Sequence, residues 1–531
     1  MSKEQGSAGC SSVHNTNRRR LLGYMGAAGA VAVTSVIVGG GIKMADAQAV
    51  ERNGGVIRDI AEEVVTEHLA EWSTDIHNRA INVMHPPTPL VGAIGDGVAD
   101  DTAAIQASLD QQGIVYLPKG VYAVDLVDGL KSLSVRSHTK VVMHPEAVIR
   151  LKPQSVERYY IVDIQNVQHV EIVGGTIEGE RNSHVGSTGE WGYGIRINES
   201  SNVNVSDVSM VDCWGDGAVA TGSTPSSHIT FENCIFHNNR RQGLTLANTN
   251  HVRILNCVFT NTNGTAPQAG IDIEPDNHSI AENIVISNCY FENNSGNGLL
   301  LARRDNLEGN TFVRKTIVSN CTFKGNGISG VYLKNVTDIT VANNVIEQNV
   351  KNGIYLGNTK ECAIIGNRVL QNGNHGIHVS HSSDNIISDN SVIENASGIQ
   401  VENSSANLIK SNQARRNNIH GIGISRSHHN LVDANYAKEN SQGNDNAYNN
   451  ISVYSNSDYN VISNNICRKG DLAFKPYAGI KIAETTSSSN MVSQNDCFDG
   501  GTLIGIENTA SDTQFGAGNR VFDGTFSTTP N

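Results

Sequence analysis

The sequence predicts an all-β fold, a parallel β-solenoid in which each repeat is one coil, and three observations carry that prediction. A Gly followed by alternating apolar residues recurs at Gly194, Gly243, Gly270, Gly298, Gly330, Gly353, Gly376 and Gly398, as in Gly270-Ile271-Asp272-Ile273. Between these rungs runs a second alternating stretch that ends in Asn233, Asn256, Asn288, Asn320, Asn344, Asn367, Asn390, Asn412, Asn435, Asn465 and Asn495, with Asp212 expected at the equivalent earlier place; most steps are 21 to 24 residues. No helical periodicity interrupts the repeats. Strands of that length bounded by Gly and Asn form coils that bury nothing singly and a continuous core when stacked. Asn suits the corners because it tolerates the left-handed backbone region, and stacked Asn amides can bond along the column. Ile284, Ile286 and Phe291 are then inward, and the residues two and four after each Gly lie on the outer face of one sheet.

From the N-terminus, Arg18-Arg19-Arg20 precedes an apolar run over 23–42 that closes on Ala47-Gln48-Ala49, the pattern of a twin-arginine export signal over 1–49. A membrane anchor is the alternative, since about 20 residues can span a bilayer; Gly and Ala dilute the hydrophobicity and favour cleavage. The coils then face the outside, secreted, periplasmic or at the cell surface, with no membrane contact after cleavage. Residues 50–89 read as a helical leader, amphipathic over 56–80, and a Pro-rich linker at Pro86-Pro87-Thr88-Pro89. A short helix over 103–110, with Asp100 or Asp101 as N-cap, caps the open end of a solenoid running from 90 to 525, and 526–531 is a tail. The formal charge of −13 argues against nucleic acid as a partner. Cys213, Cys234, Cys257, Cys289 and Cys321 each follow a corner residue and form one column. Parallel stacked side chains have the wrong direction for bridging, so buried thiols are expected. No Cys/His spacing suggests zinc.

GAIGDGVADDTAAIQASLD at 92–110, followed by GIVYLPKGVYAV at 113–124, resembles the opening of the pectate-lyase-like superfamily. That resemblance implies a right-handed parallel β-helix over roughly 82–525. The superfamily includes rhamnogalacturonases, alginate C5-epimerases and phage tailspikes, so it implies a fold and a polysaccharide context without naming a reaction. GIDIEPDN at 270–277 sits where alginate epimerases carry a YGFDPHE-type motif, with Glu274-Pro275 resembling its Asp-Pro. Ile271 or Asp272, and Asp276, stand where that motif has Tyr and His. Asp216-Gly217 resembles half of the paired Asp of polygalacturonases.

Coil length points to the site. Gly353 to Asn367 and Gly376 to Asn390 are 14 apart, whereas Gly270 to Asn288 is 18 and Gly298 to Asn320 is 22. On the other side Asn256 to Gly270 is 14 and Gly174 to Gly194 is 20, so two walls rise over the same coils. Inserted loops on a rigid scaffold are where sites are built. Between the walls the outer face carries Arg196, Asn198, Thr245, Ala247, Asp272, Glu274, Leu300, Ala302, Tyr332, Lys334, Tyr355 and His378. Asp272 and Glu274 alternate on one strand, their stems about 6.6 Å apart, and are the candidate catalytic pair. Glycosidic hydrolysis needs two carboxyls roughly 5 to 9.5 Å apart. Arg196, Asp216, Asp276, Arg303, Arg304, Tyr332, Lys334, Tyr355 and His378 are the candidate substrate-binding residues. His375, His378 and His420 also read plainly as solvated turn and face residues. Uronan lysis or C5 epimerisation is the alternative chemistry, with Arg303, Arg304 or Lys334 neutralising the substrate carboxylate and Tyr332 moving the C5 proton. A third reading is a non-catalytic, glycan-binding or tailspike-like surface solenoid. No cofactor is called for, although Ca²⁺ on Asp272, Glu274 and Asp276 is another use of the same carboxylates.

Overall fold

A repeat of one short strand per face has to be closed by corners, and the backbone meets that need at non-glycine residues in the left-handed region. The computed structural model describes residues 79–305, 311–484, 486–522 and 527–528. The stretch expected as an export signal, most of that expected as a leader helix, the centre of the loop after Arg304 and most of the expected tail lie outside the described residues. From Ile81 onward the described residues form one parallel β-helix. Ile81–Asn82, within the stretch expected as leader and linker, pairs in parallel with Val115–Tyr116.

Each coil contributes one strand to each of three parallel sheets. In the coil that bears the candidate pair, Ile271–Ile273 lies in the 16-stranded sheet, Ile280–Ser287 in a 17-stranded sheet and Tyr290–Glu292 in the third, before Leu299–Ala302 re-enters the first. Asn288 and Asn293, both with φ 56°, turn the two corners around the short third strand. Inside, Ile271, Ile273, Ile284, Ile286 and Phe291 are fully buried. Phe236, Phe259, Phe291 and Phe323 stack at 4.5, 4.9 and 4.5 Å between ring centroids. The capping helix, Thr102–Leu109, inserts Ile105 and Leu109 into the open end of this core. Asp101 precedes it without a side-chain cap; its carboxylate instead accepts Ile94 N–H and Gly95 N–H, while Asp100 accepts Thr102 N–H at 3.0 Å.

The Asn register needs correcting. Asn233, Asn256, Asn288 and Asn320 are themselves the left-handed corner residues, and Cys234, Cys257, Cys289 and Cys321 behind them are buried. Asn344, Asn367, Asn390, Asn412, Asn435, Asn465 and Asn495 stand one residue further on, in the Cys positions, with Asn343, Gly366, Asp389 and Ser411 among those taking the corners. The column is chemically continuous. Cys257 N–H donates to Cys289 Sγ at 3.5 Å, Cys321 N–H to Asn344 Oδ1 at 2.8 Å and Asn344 N–H to Asn367 Oδ1 at 3.0 Å. The earlier equivalent is Asp207, with φ 59°, not Asp212, which turns the following corner with Asn238, Asn261 and Asn293. Cys213 accordingly belongs to a second column, donating its N–H to Asn239 Oδ1 at 3.0 Å. That column continues through Asn294, Asn326, Asn349 and Asn372. The thiols carry no disulfide among the described residues.

Candidate active site

The outward positions of the 16-stranded sheet make an axial column, Arg196, Val219, Thr245, Asp272, Leu300, Tyr332, Tyr355, His378 and Gln400, each opposite the next. Asp272 points outward between the inward Ile271 and Ile273, as alternation requires, yet it is 1% exposed. The expected solvent-facing carboxylate is therefore covered. Leu300 on the next rung packs with Ala269, Ala302 and Tyr332 into a small apolar patch, and Gln242 closes the other side. Gln242 Nε2 donates to Asp272 Oδ2 at 2.8 Å while its Oε1 accepts Ala269 N–H, so the amide cannot rotate freely. Asp272 Oδ1 has no hydrogen-bond partner among the described residues. Burial pushes this carboxyl up to about 8, the charges of Glu274 and Asp216 push the same way, and Arg241 and Arg304 oppose them.

Glu274, with its side chain 21% exposed, meets Arg304 Nε at 3.2 Å, and Arg304 Nη2 lies 3.5 Å from Asp276. A guanidinium thus already pairs with two of the three carboxylates named for Ca²⁺, Glu274 and Asp276, and no group of three or more His, Cys, Asp or Glu among the described residues is arranged to hold a metal. Asp216, expected as a binding residue two coils away, is fully buried within the same cluster. Arg241 Nη1 lies 3.1 Å from its Oδ2, Thr245 Oγ1 donates to that oxygen at 2.7 Å, and Thr245 is the rung partner of Asp272. Burial raises Asp216 to about 6, with Arg241 and Thr245 holding it down.

Arg241, Gln242 and Glu190 were missed in the sequence. For Gln242 the signal lay in the residue before each Gly, also outward, which reads Tyr193, Asp216, Gln242 and Ala269 along the column; Arg241 and Glu190 lie outside that pattern. Glu190 reaches Arg241 at 3.4 Å from the inserted wall at 179–190. That wall is pinned by His184 stacked on Trp214 at 3.8 Å and by Arg240, whose guanidinium is 3.9 Å from the same ring. Arg181 ties it to the neighbouring insertion at 256–270, on the same side, through Asn263 Oδ1 at 2.7 Å.

Beyond Leu300, Tyr332 and Tyr355 stack at 4.7 Å and Tyr355 meets His378 edge-on at 5.3 Å, an axial row of rings. Lys334 is held by Asp305 at 2.7 Å, and Arg303 sits beside it with its N–H on Lys334 O. Arg196 is not brought to the pair; it binds Asp163 at 2.8 Å and lies over Tyr160 at 3.8 Å. The histidines are half-buried rather than solvated: His375 and His378 pack on each other, His378 on Tyr355, and His420 on Tyr448 and Tyr454. Burial pushes His375 and His420 down to about 4 and lowers His378, which meets Glu402 at 3.4 Å.

Fold and groove together define a right-handed parallel β-helix with a buried acid cluster and an aromatic row on one face. The chain belongs to the right-handed β-helix region family, whose pattern matches residues 154–283 and 313–449. It is 30% identical over 213 residues to protein YclG of Bacillus subtilis (strain 168), covering 34% of this chain and 36% of that protein. It is 28% identical over 218 residues to mannuronan C5-epimerase AlgE2 of Azotobacter vinelandii, covering 33% of this chain and 21% of the epimerase. The chain thus spans about a third or less of the length of these curated relatives. Among solved structures, the tailspike protein of Escherichia coli bacteriophage HK620, in complex with a pentasaccharide, matches with TM-score 0.50 at 12% identity, covering 84% of this chain and 81% of the tailspike, a likeness of fold.

Proposed function

We propose that the protein is an exported enzyme that hydrolyses glycosidic bonds of a polysaccharide laid along the outer groove, with Asp272 as general acid and Glu274 as the second carboxylate. The observation that carries this reading is the pairing of unlike environments two residues apart, one on the strand Ile271–Ile273 and one just past its end. Asp272 is buried and keeps its proton near neutral pH, while Glu274, two residues on, is accessible and faces a guanidinium. Alternate strand positions separate the stems by about 6.6 Å, inside the window of roughly 5 to 9.5 Å for paired carboxyls. In the proposed step the side chains that cover Asp272, Leu300 and Gln242 among them, part as the polysaccharide binds; Asp272 then donates its proton to the glycosidic oxygen, and Glu274 attacks the anomeric carbon or takes a proton from the water that does. Asp216, held by Arg241 and Thr245, supplies a fixed negative charge that helps keep Asp272 protonated. Sugar units can meet the outward edges and hydroxyls of Tyr332 and Tyr355, which stack on each other along the same axis.

The epimerase relative and the saccharide-bound tailspike support a polysaccharide ligand. Proton abstraction at C5 is favoured less, because burial raises the Tyr332 phenol and Lys334 is engaged by Asp305. Export rests on Arg18-Arg19-Arg20 and the apolar run after it. The test is reducing-end release across a panel of neutral and uronic-acid polysaccharides. New reducing ends without an unsaturated uronate are expected; an unsaturated product would replace hydrolysis by lysis, and binding without turnover would make the groove a lectin.

A further inference from the structure

The column of outward residues changes character after His378. Gln400 is followed by Gly423 and Ser452, then by Lys481 and Glu507. At Gly423 an added Cβ would come within 2.4 Å of Gln400 Oε1, so the Gln400 amide lies flat across a rung that has given up its side chain to make room. That amide is only 6% exposed, yet the hydrogen bonds its side chain makes are long: Nε2 to Val401 O at 3.4 Å and Tyr454 O–H to Oε1 at 3.4 Å. A covered primary amide has capacity for about four good hydrogen bonds, so about half of it is left for a further group.

Rings and walls surround this floor. His420 lies 5.3 Å from the Tyr448 ring and 5.8 Å from the Tyr454 ring. Asn449 N–H donates to His420 Nδ1 at 3.0 Å, which fixes the tautomer in which Nε2 carries the hydrogen. The loops on the side of the 179–190 and 256–270 insertions lengthen again here. Asn349 to Gly353 and Asn417 to Gly421 are each 4 residues, whereas Asn440 to Asn450 is 10, and Gly470 to Gly479, one coil later, is 9. Nearby charges answer one another: Lys481 meets Glu507 at 2.6 Å, and Arg426 is paired with Glu402.

We propose that Gln400, Ser452, Tyr454 and His420 form a second, non-hydrolytic glycan-binding site for uncharged sugar units, six rungs and about 29 Å from Asp272. Neutral donors and acceptors beside ring faces match a sugar, which presents hydroxyl edges and C–H faces together. The paired state of the neighbouring charges leaves no strong attraction for a uronate. Successive coils are about 4.8 Å apart, close to the length of one sugar in an extended β-linked chain, so a polymer could occupy this site and the acid cluster at once.

The experiment uses the full chain with Asp272→Asn, so that ligand is not consumed, on an array of neutral gluco-, manno-, galacto- and xylo-oligosaccharides beside oligouronates. Tyr454→Ala removes a wall, Ser452→Leu fills the floor, and Tyr454→Phe keeps the ring. We expect at least one neutral oligosaccharide to be retained, with affinity falling about tenfold or more in both Tyr454→Ala and Ser452→Leu and by less in Tyr454→Phe. Turnover of short soluble substrates by otherwise wild-type Tyr454→Ala should be unchanged. The proposal is overturned if no neutral oligosaccharide binds, if only oligouronates bind, or if neither variant changes binding while thermal unfolding shows both folded. Failure of the hydrolase reading has a different signature, unaltered turnover in Asp272→Asn, and leaves the binding result standing.

Discussion

Asp272 is a site the fold maintains against its own stability. In the folded chain it titrates at about 8 against an ordinary value of 3.8. Between those values the folded state holds a proton that the unfolded state has released, so this group's contribution to stability falls as pH rises through the window and is level above about 8. Asn carries no such penalty. Thermal unfolding of Asp272→Asn should therefore shift upward relative to wild type as pH is raised from 4 to 8, while catalysis by the same variant falls about 10²- to 10⁴-fold. Wild-type rate should decline above pH about 8 as the acid is lost. A variant that is both inactive and less stable at pH 8 would mean the carboxyl is structural. The outward place of Asp272 was legible in the sequence, because alternation alone sets it opposite to Ile271 and Ile273. Its burial was not, since that depends on how Leu300, Ala269 and Gln242 from other coils pack over it.

At the scale of the element, the Asn ladder replaces the side-chain disorder of a polar corner with continuous pairing. Asn390 accepts Asn367 N–H at 2.9 Å and Nδ2 at 3.0 Å, and donates to Asn412 Oδ1 and Ile364 O. Removing it strands two buried donors on the preceding coil. Asn390→Ala should cost about 2 to 4 kcal/mol in chemical denaturation, from roughly 1 to 3 kcal/mol per unsatisfied group. Asn390→Cys should cost less, because Cys289 and Cys321 accept the same N–H at 3.5 and 3.4 Å in the early coils. Equal losses would argue that the ladder acts by shape alone. The repeat was readable from residue types, but its register was not: a corner Asn and a buried Asn one position later give nearly the same spacing. Left-handed backbone tolerates both arrangements, so only hydrogen-bond pairing separates them.

For the whole molecule, a rigid stack turns residues hundreds of positions apart into one straight groove. From Asp216 to His378 the outer face passes from buried acids to an aromatic row without a change of sheet. Rings remote from the reacting bond contribute to binding in ground and transition states alike. Tyr355→Ala should therefore raise KM about tenfold for long substrates and leave kcat nearly unchanged; a fall in kcat alone would move the chemistry to that rung. Coil-length changes in the sequence foretold the walls around Asp272, because an insertion in a solenoid has nowhere to go but outward. The longer loops at 440–450 and 470–479 follow the same rule, but with no carboxylate pair beside them they did not stand out.

The most direct measurement is turnover of wild type, Asp272→Asn and Glu274→Gln on a polysaccharide found by the panel, read as new reducing ends and as unsaturated uronate. The account predicts hydrolysis by wild type without unsaturated product, and loss of most of the rate in each variant with the β-helix intact by circular dichroism. Near-native turnover in both variants, or loss confined to Tyr332→Phe with unsaturated product in wild type, would contradict it.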